Sequence, residues 1–242
     1  MLEFKNAVKK YGKKNALDGL DAQFERGRVY ALAAPNGHGK TTLMKTACNL
    51  VKLDSGECLV DGEPVSYKTN KIISYMPTEL YFYRGMSIKD VGKYYSDFYD
   101  DFSFSKFEKL IQLMELDMKM KTASMSSGMC AKFKISVVLS RNAKYIMLDE
   151  PLNGIDLITR DMVIQTIIKA VSDDACIIIS SHLFDEIESI TDNIVIIKDG
   201  KAVMQGDMEE IRTEQGLSMS DLYRETFANH SFDSIMEDIK ND

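Results

Sequence analysis

Apolar residues in the first 65 positions come in short runs or alternate with polar ones, the spacing of strands that bury one or both faces. Residues 4–8, 17–24 and 29–33 are predicted strands, and Asp61-Gly62, between ECLV and EPV, is a hairpin-turn dipeptide. The spacing then changes. In TTLMKTACNLVKL the apolar residues Leu43, Met44, Ala47, Leu50 and Val51 fall at i, i+1, i+4, i+7 and i+8, one face of a helix. From about residue 86 to 143, Gly and Pro are sparse, and segments such as IKDVGKYYSDFYDDF and SKFEKLIQLMEL carry helical spacing. Strands return at 145–148, 175–180 and 193–197, the last running into the turn dipeptide Asp199-Gly200, and 160–171 reads as a crossover helix. After about Gly216 the chain is charged, with weaker helical patterning. The picture is a β-rich and α/β body interrupted by a helical insertion, without internal repeats.

Composition narrows this only a little. The 242 residues are 45% hydrophobic and 28% charged, ample for a buried core in one large or two small domains. A formal charge of -7 offers no overall attraction to nucleic acid, and no nucleic-acid partner is expected. Cys48, Cys58, Cys130 and Cys176 include no C-x-x-C pair, so reduced thiols are expected rather than a disulfide framework or zinc site. The N-terminal MLEFKNAVKK lacks a signal-peptide apolar core, and the apolar runs are too short to span a bilayer.

Two stretches carry chemistry. The first is Ala34-Pro-Asn-Gly-His-Gly-Lys-Thr-Thr42, which follows the apolar strand VYALAA and opens the amphipathic helix. It departs from the phosphate-loop pattern G-x-x-x-x-G-K-[ST] only in its first position, where Ala34 costs little if its φ is negative. Gly37 and Gly39 let backbone N–H groups approach phosphate oxygens, Lys40 reaches the β- and γ-phosphates, and the Thr41 hydroxyl is a ligand for Mg²⁺. Asn36, His38 and Thr42 complete the expected nucleotide contacts of the loop. The second stretch is Tyr145-Ile-Met-Leu-Asp-Glu150, a buried strand ending in two carboxylates at the sheet edge where parallel α/β folds bind ligands. Asp149 is the expected metal ligand and Glu150 the group that polarises the attacking water.

With these in place, the chain over about residues 1–212 resembles the nucleotide-binding subunits of ATP-binding cassette (ABC) transporters. Met125-Ser-Ser-Gly-Met129 is similar to the family's LSGGQ signature, Asn153-Gly-Ile-Asp156 to its D-loop, His182 in SSHLFDE to its switch histidine, and Tyr11 in VKKYG to its adenine-stacking aromatic. The resemblance implies a P-loop NTPase core (1–78 and 142–215) with an antiparallel β subdomain, an inserted helical subdomain (79–141) and a helical tail (216–242). It implies an ATP hydrolase using ATP and Mg²⁺, with Lys40, Glu150 and His182 catalytic. Ser126 and Gly128 would face the γ-phosphate held by a second cassette subunit, and Asp156 would lie at the dimer seam. As residues alone, Ser126 is equally a helix cap and Asp156 a turn residue. The family pairs such subunits with an integral membrane permease, which places them in the cytoplasm, peripheral on the inner face of the membrane.

The departures bear on turnover and direction. A glutamine that touches Mg²⁺ and the attacking water in the family is Thr78 here, within Tyr75-Met-Pro-Thr-Glu79, so Thr78 is an expected metal-side residue with Glu79 as a substitute. Ser127 and Met129 replace a glycine and a glutamine of the signature, a variation similar to that of small lantibiotic- and bacitracin-type resistance exporters. An exporter subunit is the expected function, in a homo- or heterodimer. The alternative is a regulatory cassette subunit with slow or absent turnover. Tyr81, Phe82 and Tyr83, followed by Arg84, form either a permease-facing surface or part of the subdomain core.

Overall fold

A computed structural model describes residues 1–83 and 85–228. In chain order its principal elements are β1 (Leu2–Tyr11), β2 (Lys14–Phe24), β3 (Val29–Ala33), α1 (Lys40–Ala47), β4 (Ser55–Val60), β5 (Glu63–Pro64), β6 (Ile73–Met76), α2 (Ile88–Phe98), α3 (Phe104–Leu113), α4 (Ser127–Leu139), β7 (Tyr145–Asp149), α5 (Leu157–Ala170), β8 (Cys176–Ser180), α6 (Phe184–Ile187), β9 (Asn193–Lys198), β10 (Lys201–Asp207), α7 (Met208–Gln215) and α8 (Met219–Phe227). The strands form two sheets. One is antiparallel, in the order β2-β1-β4-β5; the other runs β10-β9-β3-β8-β7-β6 and is parallel except for the β9-β10 hairpin.

Strands β3, β7, β8 and β9 of the larger sheet are buried on both faces, which is why they are continuous apolar runs rather than alternating ones. Successive side chains still point to opposite sides. Ala31, Ile146, Leu148, Ile177, Ile179 and Ile194 pack toward the helices α4 and α5. Tyr30, Leu32, Tyr145, Met147, Cys176 and Ile178 pack toward α1 and the antiparallel sheet. All four cysteines are free thiols, and burial pushes the Cys48, Cys58 and Cys176 thiols up.

The helix after the phosphate loop is shorter than its apolar spacing predicts. It ends at Ala47, because Asn49 takes a left-handed conformation (φ 55°) and the amide groups of Asn49 and Leu50 turn back to the carbonyls of Thr46 and Lys45. Leu43, Met44 and Ala47 are buried as expected, whereas Leu50 lies beyond the stop and is 63% exposed.

Between β6 and β7 stand α2, α3 and α4. Ser87 and Asp90 form a reciprocal capping box on α2, and Ser103 caps α3. The helix α4 is apolar nearly all round, with Phe133, Ile135, Val137, Val138 and Leu139 buried. The tail helix α8 packs through Phe184–Tyr223 and Tyr223–Phe227 ring contacts, while the rest of the expected tail (229–242) lies outside the described residues. Among the described residues no helix is long and apolar enough to cross a membrane.

Candidate active site

The C-terminal ends of β3, β7 and β8 meet at one edge of the sheet. Each delivers a different kind of group there: a phosphate loop, two carboxylates, and a serine pair followed by His182. This follows from topology. Parallel strands send their loops to the same edge, so sequence segments more than a hundred residues apart converge.

The phosphate loop joins β3 to α1. Gly37 has φ 80° and Gly39 φ 113°, both outside the range of ordinary side chains. A Cβ on Gly39 would also collide with the Ala16 carbonyl oxygen, so the loop wraps the β2 backbone closely. Ala34 is absent from the positive-φ residues, so its methyl group is accommodated without strain, and it is buried. Lys40 begins α1 and is 6% exposed; its ammonium donates to the Ala34 carbonyl and lies 4.0 Å from a Glu150 carboxylate oxygen. Burial pulls the Lys40 ammonium below lysine's usual range, and Glu150 and Asp149 act in the opposite direction.

Asp149 is almost fully buried, and its carboxylate is accounted for atom by atom. Oδ1 accepts from the Ser180 hydroxyl at 2.6 Å, and Oδ2 accepts from the Thr41 hydroxyl at 2.8 Å and, weakly, from Tyr75 at 3.5 Å. Glu150 sits in a left-handed conformation (φ 52°), a strained state that persists where surrounding bonds fix it. Here they do: its N–H donates to both the carbonyl and the hydroxyl of Ser180, each at 3.0 Å. The turn aims its carboxylate between Lys40 and His182, whose Nδ1 is 2.9 Å from Oε2.

These groups border a cleft of about 470 Å³. Tyr11, Asn36, Gly37, Gly39, Thr42 and Thr78 also line it. Tyr11 is half-exposed at the end of β1, with the Lys9 ammonium 5.7 Å from its ring centre. Four expected site residues lie elsewhere. The His38 ring turns to the β9-β10 hairpin, where Nδ1 accepts from the Asp199 N–H at 3.1 Å, and it meets Phe227 edge-on. Ser126 is the N-cap of α4, its hydroxyl accepting from the Met129 N–H at 3.3 Å. Asp156 caps α5, accepting from the Thr159 N–H and hydroxyl, bonds that hold its carboxyl below the usual range. Gly128 packs against the D-loop: a Cβ there would stand 3.0 Å from the Gly154 carbonyl oxygen.

Glu79 is turned from the cleft into a neighbouring cavity of about 560 Å³, with Tyr81, Tyr99 and Arg141. The aromatic run divides: Phe82 packs on Phe133 at 4.7 Å between ring centres, Tyr83 is largely exposed, and Arg84 lies outside the described residues. Sequence reasoning missed Ser180, which anchors both Asp149 and Glu150, and Lys14, whose ammonium would stand 3.0 Å from a Cβ on Gly37. It also missed Asn153, which lines the cleft, as a cleft residue in its own right. A serine closing an apolar strand carries no such signal, because only the pairing Asp149↔Ser180 brings the two together.

Comparison with known proteins gives this edge a family. The ABC transporter family model matches residues 17–153. The chain is 30% identical over 219 residues to the Bacillus subtilis ABC transporter ATP-binding protein YtrB, covering 88% of this chain and 74% of that one. It is also 30% identical over 211 residues to the Streptococcus pyogenes lantibiotic transport ATP-binding protein SrtF, covering 86% and 92%. A galactose/methyl galactoside import ATP-binding protein, MglA of Haemophilus influenzae, is 32% identical over 232 residues, spanning 90% of this chain but 46% of that one. Among solved structures, an ATP-binding subunit of an ABC transporter superposes with a TM-score of 0.83 at 23% identity, over 93% of this chain and 98% of that one. A cassette dimer in a post-hydrolysis state with ADP and Pi superposes with a TM-score of 0.76 at 19% identity, over 86% and 99%; these two likenesses concern the fold. The family match extends over more than half of the chain and ends within the D-loop, just past the carboxylates of β7, and the chain belongs to the ABC transporter family as an ATP-binding-cassette ATPase.

Proposed function

We propose that this ATPase powers a separate membrane permease, in the export direction, by closing on a second cassette subunit around ATP and reopening after hydrolysis. The observation that carries the reading is the convergence of Lys40, Thr41, Asp149, Glu150 and His182 on one cleft at the sheet edge. Lys40 is an ammonium poised for the β- and γ-phosphates. Thr41 and Asp149 are the pair that would hold Mg²⁺: a hydroxyl and a carboxylate 2.8 Å apart present the hard oxygen donors that ion takes. Bound there, Mg²⁺ would neutralise charge on the phosphates. Thr78, at the same cleft, would reach the metal side through water.

Glu150 is the proposed base. Its strained backbone and its contacts with Lys40 and His182 hold the carboxylate where it can accept a proton from water attacking the γ-phosphate. His182 orients Glu150 and faces the γ-phosphate, and Tyr11 stacks on adenine. His38 serves the loop through its backbone, its ring being engaged elsewhere.

Ser126 and Gly128 stand at the N-terminus of α4, outside the cleft of their own chain. They would meet the γ-phosphate bound by the second subunit, with Asp156 at the seam. The division of the core (1–78 and 142–215) from the helical subdomain (79–141) follows the same logic. The permease docks on the aromatic surface of that subdomain, with Tyr83 exposed for it. The export direction is supported by the lantibiotic transport relative and the S-x-G-M signature; the import relative is the counterweight. This arrangement puts the subunit on the cytoplasmic face of the membrane.

Dimer closure is tested with Glu150→Gln, which removes the base but keeps the fold. Light scattering should detect a dimer that forms with Mg-ATP and disappears with ADP. A monomer at saturating ATP would sink the composite-site reading. Direction is tested by co-expressing the chain with a candidate permease and measuring ATP-dependent efflux.

A further inference from the structure

Lys134 stands in the middle of α4, among Phe133, Ile135 and Val137, and is 5% exposed. A lysine there is costly. Removing an ammonium from water carries a penalty of several kcal/mol, which its partners must offset. Burial accordingly pulls its ammonium below lysine's usual range, offset by Cys130, Asp149 and Glu79. Among the described residues it forms no ion pair within 4.0 Å. Its partners are two successive carbonyl oxygens of the loop after β6: Pro77 at 2.9 Å and Thr78 at 2.6 Å. Both bonds are charge-assisted, and they use two of the ammonium's three donors.

Thr78 lines two spaces. One is the nucleotide cleft, with Thr41, Asp149 and Glu150; the other is a cavity of about 210 Å³ that Lys134, Ser127 and Glu150 also line. The same helix that carries Lys134 begins at Ser127 and is capped by Ser126. One rigid element therefore holds the Thr78 backbone in its middle and the signature residues at its end.

We propose that Lys134 is a positioning residue for hydrolysis: its ammonium fixes the Pro77–Thr78 backbone to α4, so that Thr78 keeps its place at the cleft and moves only together with the signature loop. This rests on the reading of the cleft as an ATPase site. A short threonine in that loop has no long side chain to find its own way to the metal side. A backbone tether supplies from behind what side-chain reach does not supply from in front, and it makes engagement of the signature loop and alignment at the cleft one event.

The test is steady-state Mg-ATP hydrolysis by purified full chain. Lys134→Met matches the stem in length and removes the donors. It should lower kcat by about tenfold or more, since misplacement of about 1 Å costs up to a hundredfold, with KM for ATP within about twofold. In a Thr78→Ala background the same substitution should cost less than about twofold, because the group it positions is gone. A Lys134→Met chain that folds and keeps the parent kcat overturns the proposal, and so does a loss that is additive with Thr78→Ala. Should Lys134→Met not fold, Lys134→Ala assayed with ethylammonium takes its place: kcat rising with the amine at constant KM supports the tether, and a flat response overturns it. Parent turnover and its loss in Glu150→Gln are read in the same assay. If both fail, the ATPase reading falls and the tether with it; if both hold while Lys134→Met matches the parent, the tether alone falls.

Discussion

The edge formed by β3, β7 and β8 and the start of α4, the two regions proposed to face nucleotide, are built on opposite plans. At the sheet edge, charge is concentrated and buried: Lys40, Asp149 and Glu150 are all engaged by hydrogen bonds or ion pairs within the chain. At the start of α4, Ser126 and Ser127 are exposed and uncharged, and the one side-chain bond of Ser126 caps its own helix. The first region has its electrostatics complete in a single chain. The second offers only a hydroxyl, backbone N–H groups and the positive end of a helix, which gain value when an anion is brought to them. That asymmetry is what a site shared between two subunits requires.

Removing the base should break the sheet-edge half most severely. Glu150→Gln is expected to lower turnover by about 10²–10⁴-fold, with nucleotide binding retained; equal turnover by variant and parent in a phosphate-release assay would remove Glu150 as the base. The other half is broken by Gly128→Asp, which presses a side chain toward the Gly154 carbonyl and sets an anion at the helix start. Turnover should fall by about a hundredfold while ATP binding by the isolated monomer, followed by calorimetry, stays near the parent value. If monomer binding falls equally, the two regions are not separate.

A smaller effect is expected from Lys40→Ala, which loses a charge-assisted contact worth about 1.5–3 kcal/mol, or roughly 10–100-fold in ATP affinity. Calorimetry reads it directly, and unchanged affinity would show that the ammonium is spent within the loop. The smallest effect sharpens the comparison. Thr78→Gln extends the side chain at the cleft and should raise basal kcat several-fold, about 1 kcal/mol of barrier. Glu79→Ala should leave kcat unchanged, because Glu79 lines the neighbouring cavity. A slowed Glu79→Ala enzyme would reverse those two assignments.

Much of this was legible in the chain itself. The apolar runs gave β3, β7, β8 and β9 of the large sheet, though not its edge strands β6 and β10, and the glycine-lysine-threonine loop and the Asp149-Glu150 pair stood at strand ends where ligands bind. The end of α1 was not legible, because Asn49 stops the helix while the apolar spacing continues to Val51. Nor was the direction of the His38 ring, which the loop pattern places among phosphate contacts but the β9-β10 hairpin captures.

Sequence alone determined what depends on neighbours along the chain: the period of each element, the turn dipeptides, the glycines that open the phosphate loop, and the order of the motifs. Only the tertiary structure decided what depends on groups far apart in sequence. Ser180 became the anchor of both carboxylates because β8 pairs with β7. Glu79 and Thr78, adjacent in the chain, were sent to different cavities by the path of one loop. Lys134, an unremarked charge in an apolar run, acquired its partners because α4 packs against the end of β6. Hydrogen bonds and burial act through space, and local spacing records which face a side chain takes but not what waits opposite it.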